Sequence, residues 1–284
     1  MTDGEDPYRI RDYVPDFDAI AAEFASRSQA LVERCDLRAD IAYGPGPRET
    51  LDLIFPDRVS PGAPLHLFIH GGYWRSGEKA NYRLVAAPVL KAGGIAALVE
   101  YDLMPGARLA TLVDQIRRAA RWLHDNAAGF GADSGRFTVS GHSAGAHLAS
   151  YLAASGAEES TPALPDVAGL LLVSGLYDLS EIPNSFLKDE AGMTPKEAAA
   201  WTPIASTQLP GLRRTLVVGA EETRPFHDQG QQLSDLLKSQ GLDANLRVEP
   251  GLDHMSIVLA LADPDHPLGR HLADMVAGLN GCSP

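Results

Sequence analysis

Six short apolar runs, separated by longer amphipathic stretches, constrain this chain more than any other feature. They cover residues 65–70, 95–101, 137–140, 170–174, 215–219 and 244–249. Runs of this length alternating with helical patterns are the signature of a parallel sheet with helices on both faces. In residues 108–126, Leu109, Leu112, Val113, Ile116, Ala120 and Leu123 fall at the three-four spacing of one helix face. Helices are likewise predicted over 80–92, 143–154, 227–240 and 269–279. Gly93-Gly94 and Gly241 stop two of them at the C-terminal position where a left-handed residue is needed. Upstream, 17–34 reads as a helix. Residues 36–43 and 50–55 read as strands joined by Gly44-Pro45-Gly46-Pro47, an antiparallel edge to the sheet. Residues 180–207 carry Pro183, Pro195 and Pro203 and break the alternation, which predicts a small cap over whatever site the sheet carries. No repeat or linker tract interrupts the chain, so a single α/β domain over 1–284 is expected.

Composition narrows the partners. The 284 residues are 45% hydrophobic, enough for a sizeable core. A net charge of −13 argues against the clustered basic surface that nucleic acids require. Cys35 and Cys282 sit near opposite ends without CxxC spacing, and are expected as free thiols rather than metal ligands. The acidic start Met1-Thr2-Asp3-Gly4-Glu5-Asp6 has no basic n-region or apolar h-region, and no apolar run approaches the roughly 20 residues of a bilayer span. A cytoplasmic protein is expected, with a small-molecule substrate and at most a second copy of itself, as a homodimer, for a partner.

Gly141-His142-Ser143-Ala144-Gly145 fits G-x-S-x-G. A short apolar strand precedes it and an Ala- and Leu-rich helix follows, the context in which strained backbone lifts a serine Oγ clear of a sheet as a nucleophile. The helix start presents the amide of Ala144 to a developing oxyanion. After the first core strand, His70-Gly71-Gly72-Tyr73-Trp74 occupies the slot of the second oxyanion element, with the amides of Gly72 and Tyr73 as donors. His70 is expected to hold that loop. Tyr73 and Trp74 are expected either to line an aromatic pocket or to pack the loop on the core.

In sheets of this kind the triad runs Ser, acid, His. That order leaves His227, His254, His266 and His271, and only His254 sits in a loop directly after a core strand. The acid belongs after the 215–219 strand, where Glu221 and Glu222 share the position, with Asp178 after the preceding strand as the other candidate.

Three segments together, His70-Gly71-Gly72-Tyr73-Trp74, Gly141-His142-Ser143-Ala144-Gly145-Ala146-His147-Leu148-Ala149 and Ser174-Gly175-Leu176-Tyr177-Asp178-Leu179, resemble the kynurenine formamidase (arylformamidase) branch of the α/β-hydrolase fold. Tyr43-Gly44-Pro45, Leu51-Asp52-Leu53, Tyr101-Asp102-Leu103 and Phe226-His227 with Gln229 extend the resemblance over nearly the whole chain. It implies an α/β-hydrolase fold and a triad of Ser143, Glu222 and His254, since the family carries its acid four residues before the Phe-His pair. Many relatives have aspartate there, and asparagine where this chain has Glu100. Residues 184–207 depart most. The resemblance implies a metal-independent serine hydrolase without cofactor that removes a small acyl or formyl group from aryl amides or esters, as with N-formylkynurenine. A promiscuous carboxylesterase is the alternative. A non-catalytic binding protein on the same fold is disfavoured, because all triad and oxyanion positions are filled.

Overall fold

A computed structural model describes residues 6–160 and 162–278. Its main sheet has eight strands: β1 (Asp36–Ala42), β2 (Thr50–Phe55), β3 (Ala63–Ile69), β4 (Ile95–Val99), β5 (Ala132–His142), β7 (Gly169–Val173), β9 (Arg213–Gly219) and β10 (Ala244–Glu249). The remaining two, β6 (Ala154–Ser155) and β8 (Thr207–Gln208), form a separate two-stranded pair. The main order is β1-β2-β4-β3-β5-β7-β9-β10. β1 and β2 pair antiparallel, as does β2 with β4, and every later pairing is parallel. The predicted antiparallel edge is therefore present, and all six apolar runs are strands of the sheet.

The run of β3 shows why. Leu65, Leu67 and Ile69 face one apolar layer and Phe68 the other, so both faces must be covered. One layer is closed by α3 (Leu109–Asn126), α4 (Ala144–Ser150) and α7 (Arg224–Ser239), through Leu112, Ile116, Leu148 and Leu233. The other is closed by α1 (Phe17–Val32), α2 (Ala86–Lys91), α8 (Ser256–Ala262) and α9 (Pro267–Ala277), through Phe24, Val89, Leu261 and Leu272. Each such side chain, fully buried, contributes about 1.5–3 kcal/mol of transfer free energy. His66 sits inside this core between Thr138 Oγ1 at 2.8 Å and Ser140 Oγ at 2.7 Å, and burial pushes its pKa down to about 3.

Two predicted helices are shorter than their apolar patterns. The helix expected over 143–154 ends at Ser150, because Ala154 and Ser155 leave it to pair with Gln208 and Thr207. The one expected over 80–92 is a 3-10 turn over Lys79–Val85 followed by α2. The 180–207 excursion is helical, with α5 (Leu187–Ala191), α6 (Pro195–Ala200) and 3-10 turns at Ile182–Asn184 and Pro203–Ala205. Cys35 is a half-buried free thiol, and Cys282 lies outside the described residues, as do Met1 to Glu5. Among the described residues no helix is long and apolar enough to cross a membrane.

Candidate active site

The C-terminal ends of the parallel strands converge on Ser143. It occupies the turn between β5 and α4 with φ 56° and ψ −121°, a left-handed conformation costly for serine. The turn holds because its flanks are glycine. A Cβ on Gly141 would lie 2.3 Å from the carbonyl oxygen of Gly145, and one on Gly145 would lie 2.1 Å from that of Ile69. The amide of Ser143 donates to Val173 O at 2.8 Å, pinning the elbow to β7.

Across from it, His254 follows β10. The carboxylate of Asp253 accepts the amides of Met255 at 2.8 Å and Ser256 at 2.7 Å, fixing the loop as it enters α8. His254 Nδ1 donates to Glu222 Oε2 at 2.7 Å, with both side chains almost fully buried. The other carboxylate oxygen accepts Ser174 Oγ at 2.5 Å and the amide of Gly219 at 2.7 Å. Both oxygens of the carboxylate are thus engaged, and the imidazole is left with a bare Nε2. That atom is buried and has no hydrogen-bond partner among the described residues. The rings of Phe226 and His142, 4.4 and 4.7 Å from the imidazole, clamp its plane. His142 donates through Nε2 to His254 O at 2.9 Å, and burial holds its own ring neutral, its pKa well below the usual histidine value. Glu221, by contrast, is exposed, and the Asp178 carboxylate turns back on the amide of Ser180.

The loop after β3 carries Gly72, Tyr73 and Trp74, all at positive φ (122°, 51° and 60°). A Cβ on Gly72 would lie 2.1 Å from Ser76 O, so only glycine closes this turn. The amides of Gly72 and Tyr73 donate to no acceptor among the described residues. Ala144 opens α4, where an amide has no intrahelical partner. His70 braces the loop from below, with Nδ1 on Gly71 O at 2.7 Å and Nε2 on Glu100 Oε1 at 2.9 Å. Glu100 also accepts Arg48 at 2.6 Å. Burial raises the Glu100 carboxyl, but these partners outweigh it and leave the group below the usual carboxylate range.

A cavity of about 480 Å³ opens over these groups, and Ser143, His254, Gly72 and Tyr73 all line it. His227, His266 and His271 do not. Trp74 does not either, which corrects its expected place in a substrate pocket. It is fully buried, and its Nε1 donates to His147 Nδ1 at 3.1 Å while His147 Nε2 bonds Trp201 O at 2.8 Å. The indole therefore ties the loop to α4 and the 180–207 excursion. The roof is a second surprise. Phe186 and Glu190 come from the predicted cap, but Arg9, Ile10, Phe17 and Phe24 come from the N-terminal segment, where the sequence predicts only a helix over 17–34. The signal was present in the i, i+4, i+7 face of Phe17, Ala21 and Phe24. Among the described residues no group of three or more His, Cys, Asp or Glu is placed to hold a metal ion.

The pattern characteristic of the alpha/beta hydrolase fold matches residues 66–258. The kynurenine formamidase of Salmo salar is 30% identical over 245 residues, 84% of this chain and 81% of its own. The carboxylesterase NlhH of Mycobacterium tuberculosis is 28% identical over 249 residues, 80% of this chain and 77% of its own. Among solved structures, a Silicibacter protein described as a thioesterase superposes with a TM-score of 0.79 at 24% identity, covering 95% of this chain and 97% of that one.

Proposed function

Because the chain belongs to the α/β-hydrolase family, in its kynurenine formamidase-like branch, we propose that Ser143, Glu222 and His254 are the triad of a hydrolase acting on small acyl or formyl derivatives of aryl amines and alcohols. One observation carries the reading. The Glu222–His254 hydrogen bond commits the Nδ1 proton, and leaves a bare Nε2 in the cavity that Ser143 also lines.

The chemistry follows from that tautomer. Ser143 Oγ attacks the substrate carbonyl carbon and its proton passes to His254 Nε2. The new oxyanion is met by the amides of Gly72, Tyr73 and Ala144, which need no reorganisation to receive it. When the intermediate collapses, the C–N or C–O bond breaks and the imidazolium hands its proton to the leaving nitrogen or oxygen. Water, deprotonated by the same Nε2, then attacks the acyl-serine, releasing the acid and restoring Ser143. Glu222 stays ionised throughout and stabilises the imidazolium formed twice per cycle.

Formamidase activity on an N-formylated arylamine such as N-formylkynurenine is the leading reading. The similarity to a carboxylesterase over most of the chain supports short-chain or aryl ester hydrolysis as the second. The decisive comparison is kcat/KM on N-formylkynurenine against p-nitrophenyl acetate, with Ser143→Ala as the blank. Turnover unaffected by Ser143→Ala would sink the nucleophile assignment. Fast ester cleavage beside negligible formamide cleavage would replace the leading reading by the second.

A further inference from the structure

Three consecutive residues at the start of the described chain each bond a different loop of the site. The Asp6 carboxylate accepts the amide of Phe186 at 2.5 Å, in the segment that roofs the cavity. Pro7 O accepts Thr223 Oγ1 at 2.7 Å, and Thr223 directly follows Glu222. Tyr8 O accepts the Tyr73 hydroxyl, on the residue whose amide is assigned to the oxyanion. The three are braced among themselves, since Asp6 Oδ1 also takes the amide of Tyr8 at 2.9 Å and Asp6 O that of Arg9 at 2.9 Å. The Tyr8 side chain is buried, and its hydroxyl accepts Gln229 Nε2 at 3.3 Å. Gln229 in turn accepts the amides of Tyr177 and Asp178 through its carbonyl oxygen. The segment is therefore anchored in its own right and not merely draped over the loops.

We propose that Asp6-Pro7-Tyr8 is a positioning clasp, which sets the aim of the Tyr73 amide and the seat of the Glu222 loop jointly. The proposal rests on the triad and oxyanion assignments above. Its physical content lies in the two hydroxyls. Tyr73 holds a left-handed backbone, at φ 51°, that a non-glycine residue keeps only when its surroundings dictate it. The bond from its ring to Tyr8 O supplies such a constraint from outside the loop. Thr223 supplies the matching constraint on the acid side, one peptide away along the clasp. Neither hydroxyl bonds the other, and residues 7 and 8 are the hydrogen-bonded route that joins them.

A double-mutant cycle tests this in the full-length protein. Tyr73→Phe and Thr223→Val each remove one hydroxyl while keeping side-chain shape and every backbone amide. Initial rates on p-nitrophenyl acetate are divided by the number of active sites titrated with a fluorophosphonate, so any unfolded fraction drops out. Each single variant is expected to lose about tenfold in kcat with KM within twofold, because misplacement by a fraction of an ångström weakens transition-state contacts more than ground-state ones. Once the clasp has let go of one loop, the second substitution has little left to release. The double variant is expected within about twofold of the worse single. Losses that multiply to about a hundredfold, a single variant with unchanged kcat, or effects confined to KM would each overturn the clasp. If instead the turnover of the wild type survives Ser143→Ala, the failure lies in the triad reading itself.

Discussion

Glu222→Gln exchanges one oxygen for an NH2 group at a side chain that has no exposed surface. The consequences can be followed atom by atom. The amide of Gly219 can only donate, and it points at Oε1 from 2.7 Å, so the carbonyl oxygen of the new glutamine must sit there. Ser174 can keep donating to the same oxygen from 2.5 Å. The NH2 group then faces His254 Nδ1, where two donors would meet at 2.7 Å. The imidazole escapes only by moving its proton to Nε2, which leaves no lone pair to accept the Ser143 proton. The same tautomer error in a serine protease triad costs on the order of 10⁴ in kcat, or about 5 kcal/mol in activation free energy at 1.36 kcal/mol per tenfold. Global stability should change far less, by about 1 kcal/mol, because the buried amide keeps its partners. Rates on p-nitrophenyl acetate, paired with urea unfolding of the same samples, separate the two quantities. A loss below tenfold in a folded variant would refute the tautomer argument. Glu221→Gln and Asp178→Asn, run in parallel, are expected near wild type, and a large loss in either would move the acid role to it.

Two further outcomes follow from groups around the site. Trp74→Phe deletes the donor to His147 Nδ1 and leaves a buried acceptor unpaired beside a small void; about 2 kcal/mol of stability should go, seen as a melting point lower by roughly 4–8 °C. KM for aryl substrates should stay within twofold, and a tenfold rise in KM at unchanged stability would return the indole to the substrate pocket. His147 is fully buried, and burial pushes its pKa down to about 4. The unfolded chain takes up that proton near pH 6.5, whereas the fold resists it until about pH 4. This contribution is therefore complete above pH 6.5 and is lost as pH falls toward 4, at about 1.4 kcal/mol per pH unit. Between pH 6.5 and 5 the unfolding free energy of His147→Gln should vary with pH by about one proton less than wild type, and equal slopes would dismiss the argument.

How far a sequence carries such a site depends on where each constraint is written. The elbow is local. Gly141, Ser143 and Gly145 meet within one turn, so their spacing alone exposes the close approach that excludes side chains. The antiparallel edge and the six core strands were legible for a similar reason, since their apolar pattern answers to burial on two faces. The helix predicted after Ser143 runs past Ser150 because the apolar pattern continues to Ala154, and only the pairing of Ala154 and Ser155 with Gln208 and Thr207, more than fifty residues away, turns this end into strand. Trp74 shows the same limit at the level of one side chain. An aromatic residue beside an oxyanion loop fits either a pocket wall or a core packer, and the choice depends on His147, which lies 73 residues later.

The N-terminal segment was the hardest to read, and the reason is physical. Its bonds to the site run over 216 residues between Pro7 and Thr223, 180 between Asp6 and Phe186, and 65 between Tyr8 and Tyr73. Two of the three use backbone carbonyls, which every residue possesses, so no side-chain pattern records them. The partners on the far side, Thr223 and Tyr73, are ordinary polar residues in loops. Side-chain patterns therefore single out Ser143, His254 and Glu222 as candidates but carry no trace of a main-chain brace between their loops. The same distance hides the role of 17–34, which reads in the sequence simply as a helix upstream of the core. Phe17, Ala21 and Phe24 line the cavity as well as packing on the apolar layer of the sheet, and the cavity side of that face gains meaning only once Asp6, Pro7 and Tyr8 have fixed the entry of the chain over Ser143.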